Sequence, residues 1–240
     1  MPMQALSILA LLLILAAMAA SVAAKRLTVP GSLTGGLLAF LIYQGAGFTG
    51  LAMLAIFFIL GSVATSWRLK AKEDVALAEE NKGKRNTFQV LANGGFAGLS
   101  GLLAWIHPSG GPLYRLMLAC SIAASLSDTL ASEMGNVYGS RYYNILTFKK
   151  DQRGLNGVIS VEGSIFGIIE SSIIGIIYGT GFGWSVQVLW IILAGVFGNL
   201  FDSILGATLE RNGLLGNDAV NSLNNLASAL CGLFLFYAFH

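Results

Sequence analysis

Residues 3–24 read MQALSILALLLILAAMAASVAA, a run without a single charge, and Lys25 and Arg26 follow at once. A bilayer core of ~30 Å takes about 20 apolar residues of α-helix, so this stretch crosses a membrane. It is no cleavable signal, because no Lys or Arg precedes the apolar run. Similar runs recur to the end of the chain. Segments 3–24, 32–47, 48–66, 87–106, 112–134, 158–180, 184–206 and 218–239 give about eight spans. Gly45, Gly47 and Gly50 leave only a tight turn between the second and third, and reading that region as one span would give seven. The fold class is all-α, a polytopic transmembrane helical bundle forming a single integral membrane domain over 1–240. Its parts are the N-terminal spans 1–66, a cytoplasmic loop 67–86 and the catalytic spans 87–240.

Composition agrees. Of 240 residues, 14 are Lys or Arg and 12 are Asp or Glu, so 11% are charged, against about 25% in soluble domains. The hydrophobic fraction is 55% and the mean hydropathy +0.72. A net charge of +2 supplies no basic field for nucleic acid. A soluble enzyme, a disordered tail and a nucleic-acid binder are thereby excluded. Cys120 and Cys231 stand singly in apolar stretches and read as small buried hydrophobes. With His107 in a loop and His240 at the C-terminus, no zinc site can be assembled.

Traced through eight spans, all basic residues but Arg115 fall on one side: Lys25, Arg26, the cations of 68–85, Arg141, Lys149, Lys150, Arg153 and Arg211. That is the positive-inside pattern, which makes these loops cytoplasmic and puts both termini outside. No Arg- and Ser-rich organellar presequence is visible, which points to a bacterial plasma membrane. The stretch 67–86 mixes signs and reads as a solvated amphipathic helix ending at Arg85 and Asn86.

Six carboxylates lie in or beside spans: Asp128, Glu133, Glu162, Glu170, Asp202 and Asp218. Each would cost about 2.5–3.5 kcal/mol at the bilayer centre, so an intramembrane carboxylate is by default a functional hypothesis. All but Glu170 gather at the cytoplasmic boundary, where the basic loops converge. Carboxylates there can hold Mg²⁺, and cations with the metal can hold a polyphosphate. Interfacial ion pairs and helix caps are the competing reading, above all for Asp151, Glu210 and Arg211. Three polar stripes recur at helical spacing: Arg85, Gln89 and Asn93; Ser125, Asp128 and Ser132; and Asn217, Asn221, Asn224, Asn225 and Ser228. Interhelical glue would explain them singly; starting from one leaflet, they favour a shared hydrophilic cleft. The loop 135–164 is punctuated by Gly135, Gly139, Gly154, Gly157 and Gly163, where backbone N–H groups and the start of the sixth span could approach phosphates. The small residues of 93–101 read as close helix packing.

The run Ser127-Asp128-Thr129-Leu130-Ala131-Ser132-Glu133-Met134-Gly135 resembles the Asp-Thr-x-Ala-Ser-Glu element of the integral membrane family of transmembrane protein 19 and the plant phytyl-phosphate kinase. Gly83-Lys84-Arg85-Asn86 with Gln89-Val90-Leu91-Ala92-Asn93-Gly94, Thr147-Phe148-Lys149-Lys150 with Gly154-Leu155-Asn156-Gly157, Phe201–Thr208 and Asn217-Asp218-Ala219-Val220-Asn221 complete five ordered motifs over about 60–235. More distantly, Asp128-x-x-Ala131 and Ser160-Val161-Glu162-Gly163 are similar to elements of dolichol kinase, phytol kinase and phosphatidate cytidylyltransferase. Ile159 stands where that wider superfamily has Lys, which shifts phosphate contact to Lys149, Lys150 or Arg153. Leu155 and Val158 also depart from the narrower family's Thr and second Gly.

The resemblance implies a membrane kinase using Mg²⁺ and CTP, or another nucleoside triphosphate, to convert a prenyl monophosphate (phytyl, geranylgeranyl or farnesyl) to the diphosphate. It implies Asp128, Asp202 and Asp218 as metal ligands and Asp128, Glu162, Lys149 and Lys150 as the catalytic set. Arg85, Asn93, Arg153, Asn156, Gly157, Ser160, Asn217 and Asn221 would bind nucleotide or phosphate. The partners are then a prenyl phosphate lipid, a nucleotide and the bilayer, with a homodimer allowed. A polyprenol kinase or lipid cytidylyltransferase is the neighbouring alternative, and a secondary transporter using Glu170 the alternative of another class.

Overall fold

The computed structural model describes residues 3–67 and 84–239. Its helices are α1 (Met3–Ala23), α2 (Val29–Ser66), α3 (Thr87–Ile106), α4 (Gly111–Tyr138), α5 (Val161–Phe182), α6 (Gln187–Leu205) and α7 (Asn217–Phe239). The amphipathic helix expected over 67–86 lies almost wholly outside the described residues, as do Arg68, Lys70, Lys72, Lys82 and His240.

A straight helix of the 38 residues in α2 would be about 57 Å long. Yet Arg26, just before α2, donates from its guanidinium to Ser66 Oγ at the other end. The helix reverses at Gly47, whose φ of 59° and ψ of −150° only glycine adopts without strain. Two limbs, 29–46 and 48–66, result, and the bundle has eight rods, as the eight-span reading expects. Thr28 starts the first limb by accepting from Gly31 N (3.0 Å). On the far side, Arg115 Nε donates to the Gly45 carbonyl at the reversal (2.9 Å), and its guanidinium lies 5.3 Å from the centre of the Phe182 ring. Arg115, the basic residue that the sequence reading sets apart from the others, therefore pins the hairpin tip to α4 and α5.

Six of these helices are long and apolar enough to cross a membrane. α4, more polar, lies outside that group and forms the centre of the bundle instead. Leu116 and Leu118 through Ser127 are all buried, so it has no solvent or lipid face over those turns. Small residues bring its neighbours close. A Cβ on Gly45 would lie 2.2 Å from the Gly101 carbonyl oxygen, and one on Gly198 would lie 2.6 Å from Ala124 Cβ. Hydroxyls and amides stitch the rest. Ser228 Oγ donates toward the Cys120 and Ala194 carbonyls (both 2.8 Å), and Asn225 Nδ2 donates to the Ala92 carbonyl (2.8 Å). Such bonds are worth about 0.6 kcal/mol on average in a membrane. Cys120 is buried, Cys231 half-buried, and both are free thiols.

The described boundaries differ from the sequence reading at the end of the bundle that carries the basic loops. Residues 158–160 do not open a span; they form strand β2 (Val158–Ser160), paired antiparallel with β1 (Tyr142–Asn144) in the register Tyr142 to Ser160. Ser160 then caps α5 by accepting from Gly163 N (3.1 Å). Capping, which apolar run length ignores, sets that start. The fifth span likewise runs on to Tyr138, and α6 continues into a π-helical turn, Gly206–Glu210.

Candidate functional site

A cavity of about 230 Å³ lies at the end of the bundle marked by the basic loops, between the C-terminal turns of α4, the 142–160 hairpin, the start of α5 and the end of α6. Its floor is acidic. Asp128 of α4 faces Asp202 of α6 at hydrogen-bonding reach; Asn224 of α7 contacts the Asp202 carboxyl and Glu210 stands near it. Asp202 Oδ2 is sealed from solvent and has no hydrogen-bond partner. Amides line the walls: Asn136, Asn156, Asn199 and Asn217, with the hydroxyls of Ser132, Ser160, Ser164 and Ser203. The N-terminus of α5, carrying Ser160, Gly163 and Ser164, opens into the same space, and the positive end of its dipole favours an anion there.

Local sequence explains each placement. Gly157, at a φ of 74°, lets the loop tip turn back onto the π-helical turn; a Cβ there would lie 2.3 Å from Ala207 Cβ. Gly163 brings α5 against α4, since its Cβ would meet the Ala131 carbonyl at 2.5 Å. Arg211 fixes the loop from outside, donating from Nε to the Asn156 carbonyl (2.6 Å) and from Nη2 to Asp151 (2.8 Å). The Gln152 N–H, then Arg211 and Asn144, hold the Asp151 carboxyl below the ordinary carboxylate range. Burial raises the Tyr142 phenol, opposed by Arg153; its hydroxyl donates toward the Gly135 (3.0 Å) and Gly139 (2.9 Å) carbonyls.

Of the residues expected at the site, the cavity brings together Asp128, Asp202, Asn156, Gly157, Ser160 and Asn217. It does not include the others. Asp218 sits in the first turn of α7, next to Asn217 but not among the lining residues, so the cavity brings together two of the three expected aspartates. Glu162 accepts from Ser140 Oγ (2.7 Å) and N (3.2 Å), which directs it to the loop. Lys149 and Lys150 are exposed on a turn around Phe148, and among the described residues no Lys or Arg lines the cavity. Arg153 is half-buried beside Tyr142, its Nε enclosed without a partner. Asn221 is buried outside the lining. Arg85 and Asn93 line a different cavity between α1, α2 and α3. The polar stripes thus do not share one cleft. Ser125 Oγ donates toward the Asn93 carbonyl (2.8 Å) and Asn225 Oδ1 (2.7 Å), and Gln89 caps α3 by accepting from Asn86 N (2.9 Å).

Glu210 and Asn199, with Asn136, Ser164 and Ser203, are lining residues that sequence reasoning did not assign to the site. At 100° per residue, Glu210 would stand about 80° around the helix from Asp202. The wider π-helical turn takes up that difference, and such turns recur at functional sites. Nothing in the local residue types announces it.

The donor set suits a hard cation. Two carboxylates held together away from bulk water share either a proton or a cation, Glu210 adds a third carboxylate to the lining, and the remaining side-chain donors are amides and hydroxyls. Among the described residues no group of three or more His, Cys, Asp or Glu gathers closely enough to hold a metal by itself. Mg²⁺ is commonly held by one or two carboxylates with waters and substrate phosphates supplying the rest, which the pair fits.

Fold and cavity define a polytopic α-helical membrane protein with an acidic, amide-lined chamber at one end. A family model described as Integral membrane protein DUF92 matches residues 12–229, and the chain belongs to that family. The chloroplastic protein VTE6 of Arabidopsis thaliana is 32% identical over 197 residues, covering 78% of this chain and 59% of its own length. The uncharacterized membrane protein MJ0933 of Methanocaldococcus jannaschii is 31% identical over 206 residues, 86% of this chain and 84% of its own. The uncharacterized membrane protein sll0875 of Synechocystis is 31% identical over 214 residues, 88% and 83%. The chain thus spans less than two thirds of VTE6 but most of the two prokaryotic relatives. No solved structure matches. All five motifs behind the resemblance lie within the matched segment.

Proposed function

We propose that this chain is a membrane-embedded kinase that moves the γ-phosphoryl group of a nucleoside triphosphate, CTP first among candidates, onto a prenyl monophosphate. A phosphate oxygen of the acceptor attacks the γ-phosphorus, the bond to the bridging β-oxygen breaks, and a nucleoside diphosphate leaves. A phosphate acceptor is already a nucleophile near neutrality, so no histidine base is required. Mg²⁺, held by Asp128 and Asp202, would supply charge neutralisation along the phosphate chain. Asn156, Asn217 and the N–H groups at the start of α5 orient phosphate oxygens. Lys149 and Lys150, exposed beside the loop, raise the local concentration of a polyanion. The site faces the cytoplasm of a prokaryotic plasma membrane in this reading, with both termini outside.

The observation that carries the reading is the Asp128–Asp202 pair set against a helix N-terminus and amides in one chamber. Purified protein in detergent with Mg²⁺, γ-labelled CTP and geranylgeranyl monophosphate is the test. Label in the prenyl diphosphate supports the kinase; transfer of the nucleotidyl group instead would assign a cytidylyltransferase. Glu170, buried in α5 with Oε2 unpartnered, is the one feature a transporter would use. Uptake into proteoliposomes without nucleotide turnover would favour that function.

A further inference from the structure

The larger cavity of the molecule, about 630 Å³, is a lateral groove between α1, both limbs of α2 and α3. Its walls are apolar along most of their length, with Ala17, Leu51, Ala55 and Phe58 among them. One end is different: Arg85, Gln89 and Asn93 stand there together. The Arg85 guanidinium lies 5.6 Å from the centre of the Phe57 ring. A Cβ on Gly61 would lie 3.2 Å from Arg85 Nη2 and 3.7 Å from the Thr129 methyl, so this end adjoins α4 one residue beyond Asp128. An arginine fork at the end of an apolar trough matches a phosphate on a hydrocarbon chain.

We infer that this groove holds the isoprenoid chain of the acceptor, with Arg85 drawing its phosphate to the end of the groove that adjoins α4 beside Asp128. The inference rests on the kinase reading for the identity of the acceptor, while the groove and its charged end are independent of it. Chain and nucleotide are thereby bound by different elements, and their phosphates must meet at α4 for transfer to occur. Acceptor enters sideways from the bilayer along α1–α3, and nucleotide enters from the aqueous side through the hairpin.

The test is binding without nucleotide, in detergent, using geranylgeranyl monophosphate, geranyl monophosphate and geranylgeraniol. Arg85→Gln is expected to weaken binding of the twenty-carbon monophosphate about tenfold or more and to leave the alcohol unchanged. Ala55→Trp, or Ala52→Trp if the first does not fold, is expected to reject the twenty-carbon chains and keep the ten-carbon one. A geranylgeranyl phosphate bearing a photoreactive group near its tail is expected to label α1, α2 or α3 of the unaltered protein. Labelling elsewhere, unchanged chain-length preference in a folded Trp variant, or copurified phospholipid that the prenyl phosphate cannot displace would each overturn the groove assignment. Binding as described with no phosphoryl transfer would instead fault the kinase reading and leave the groove standing.

Discussion

The polar chamber and the apolar groove share no lining residue and are built from different materials. The chamber, about 230 Å³, is made of irregular backbone: a two-strand hairpin, a capped helix start and a π-helical turn, all bent around two aspartates. The groove, about 630 Å³, is made of regular helices that diverge from a reversal at Gly47. In a membrane, irregular backbone survives only where it is enclosed by protein or meets water. In the proposed kinase, chemistry on charged phosphates would belong at the end that carries the basic loops, while an apolar chain needs only helices held slightly apart.

The largest expected effect breaks the chamber alone. Asp128→Asn or Asp202→Asn is expected to lower phosphoryl transfer by about a thousandfold, roughly 4 kcal/mol of barrier, with binding of the prenyl phosphate retained. Assays of turnover and binding on the same preparation check both halves. Next is the seat of the loop. Gly157→Ala forces a Cβ into Ala207 and a left-handed φ onto a residue with a side chain; the cost is expected to be about 1–3 kcal/mol, read as a fall in thermal midpoint and lost nucleotide affinity. Unaltered values would mean the hairpin does not close the chamber. Smaller still, Asn225→Ala removes an amide between α7 and α3 and is expected to cost about 0.6–1.7 kcal/mol of stability, with kcat changed little.

The smallest effect depends on pH. Asp151 is held below its ordinary carboxylate range, so its contribution to the loop is complete above the unfolded value near ~3.9 and fades as pH falls through the lowered native value. Hydrogen exchange in 142–158 is expected to quicken on acidification below that range, and Asp151→Asn to flatten the response. A response identical in the variant would show that another group governs it.

Much of this was legible in the residues. Uncharged runs and the isolation of Arg115 fix the eight rods, because lipid enforces helix length and charge placement more strictly than water does. The residues alone mark Asp128 and Asp202 as boundary carboxylates along with Glu133, Glu162 and Asp218, and of those five the chamber lining includes only the two. What stayed hidden depends on rotation about helices. Asn224 and Asn225 are neighbours in sequence, yet one faces Asp202 while the other bonds the Ala92 carbonyl. Glu210 reaches the chamber only through a turn that breaks helical periodicity. Lys149 and Lys150 look like phosphate ligands by proximity in the chain, but the hairpin turns them to the surface.

Transfer of label from γ-labelled CTP to geranylgeranyl monophosphate, followed against Mg²⁺ concentration in the unaltered protein and Asp202→Asn, probes the chamber most directly. Mg²⁺-dependent labelled diphosphate in the first and its near-complete loss in a folded Asp202→Asn protein is the predicted result. Equal labelling in both, or labelling indifferent to Mg²⁺, would contradict it.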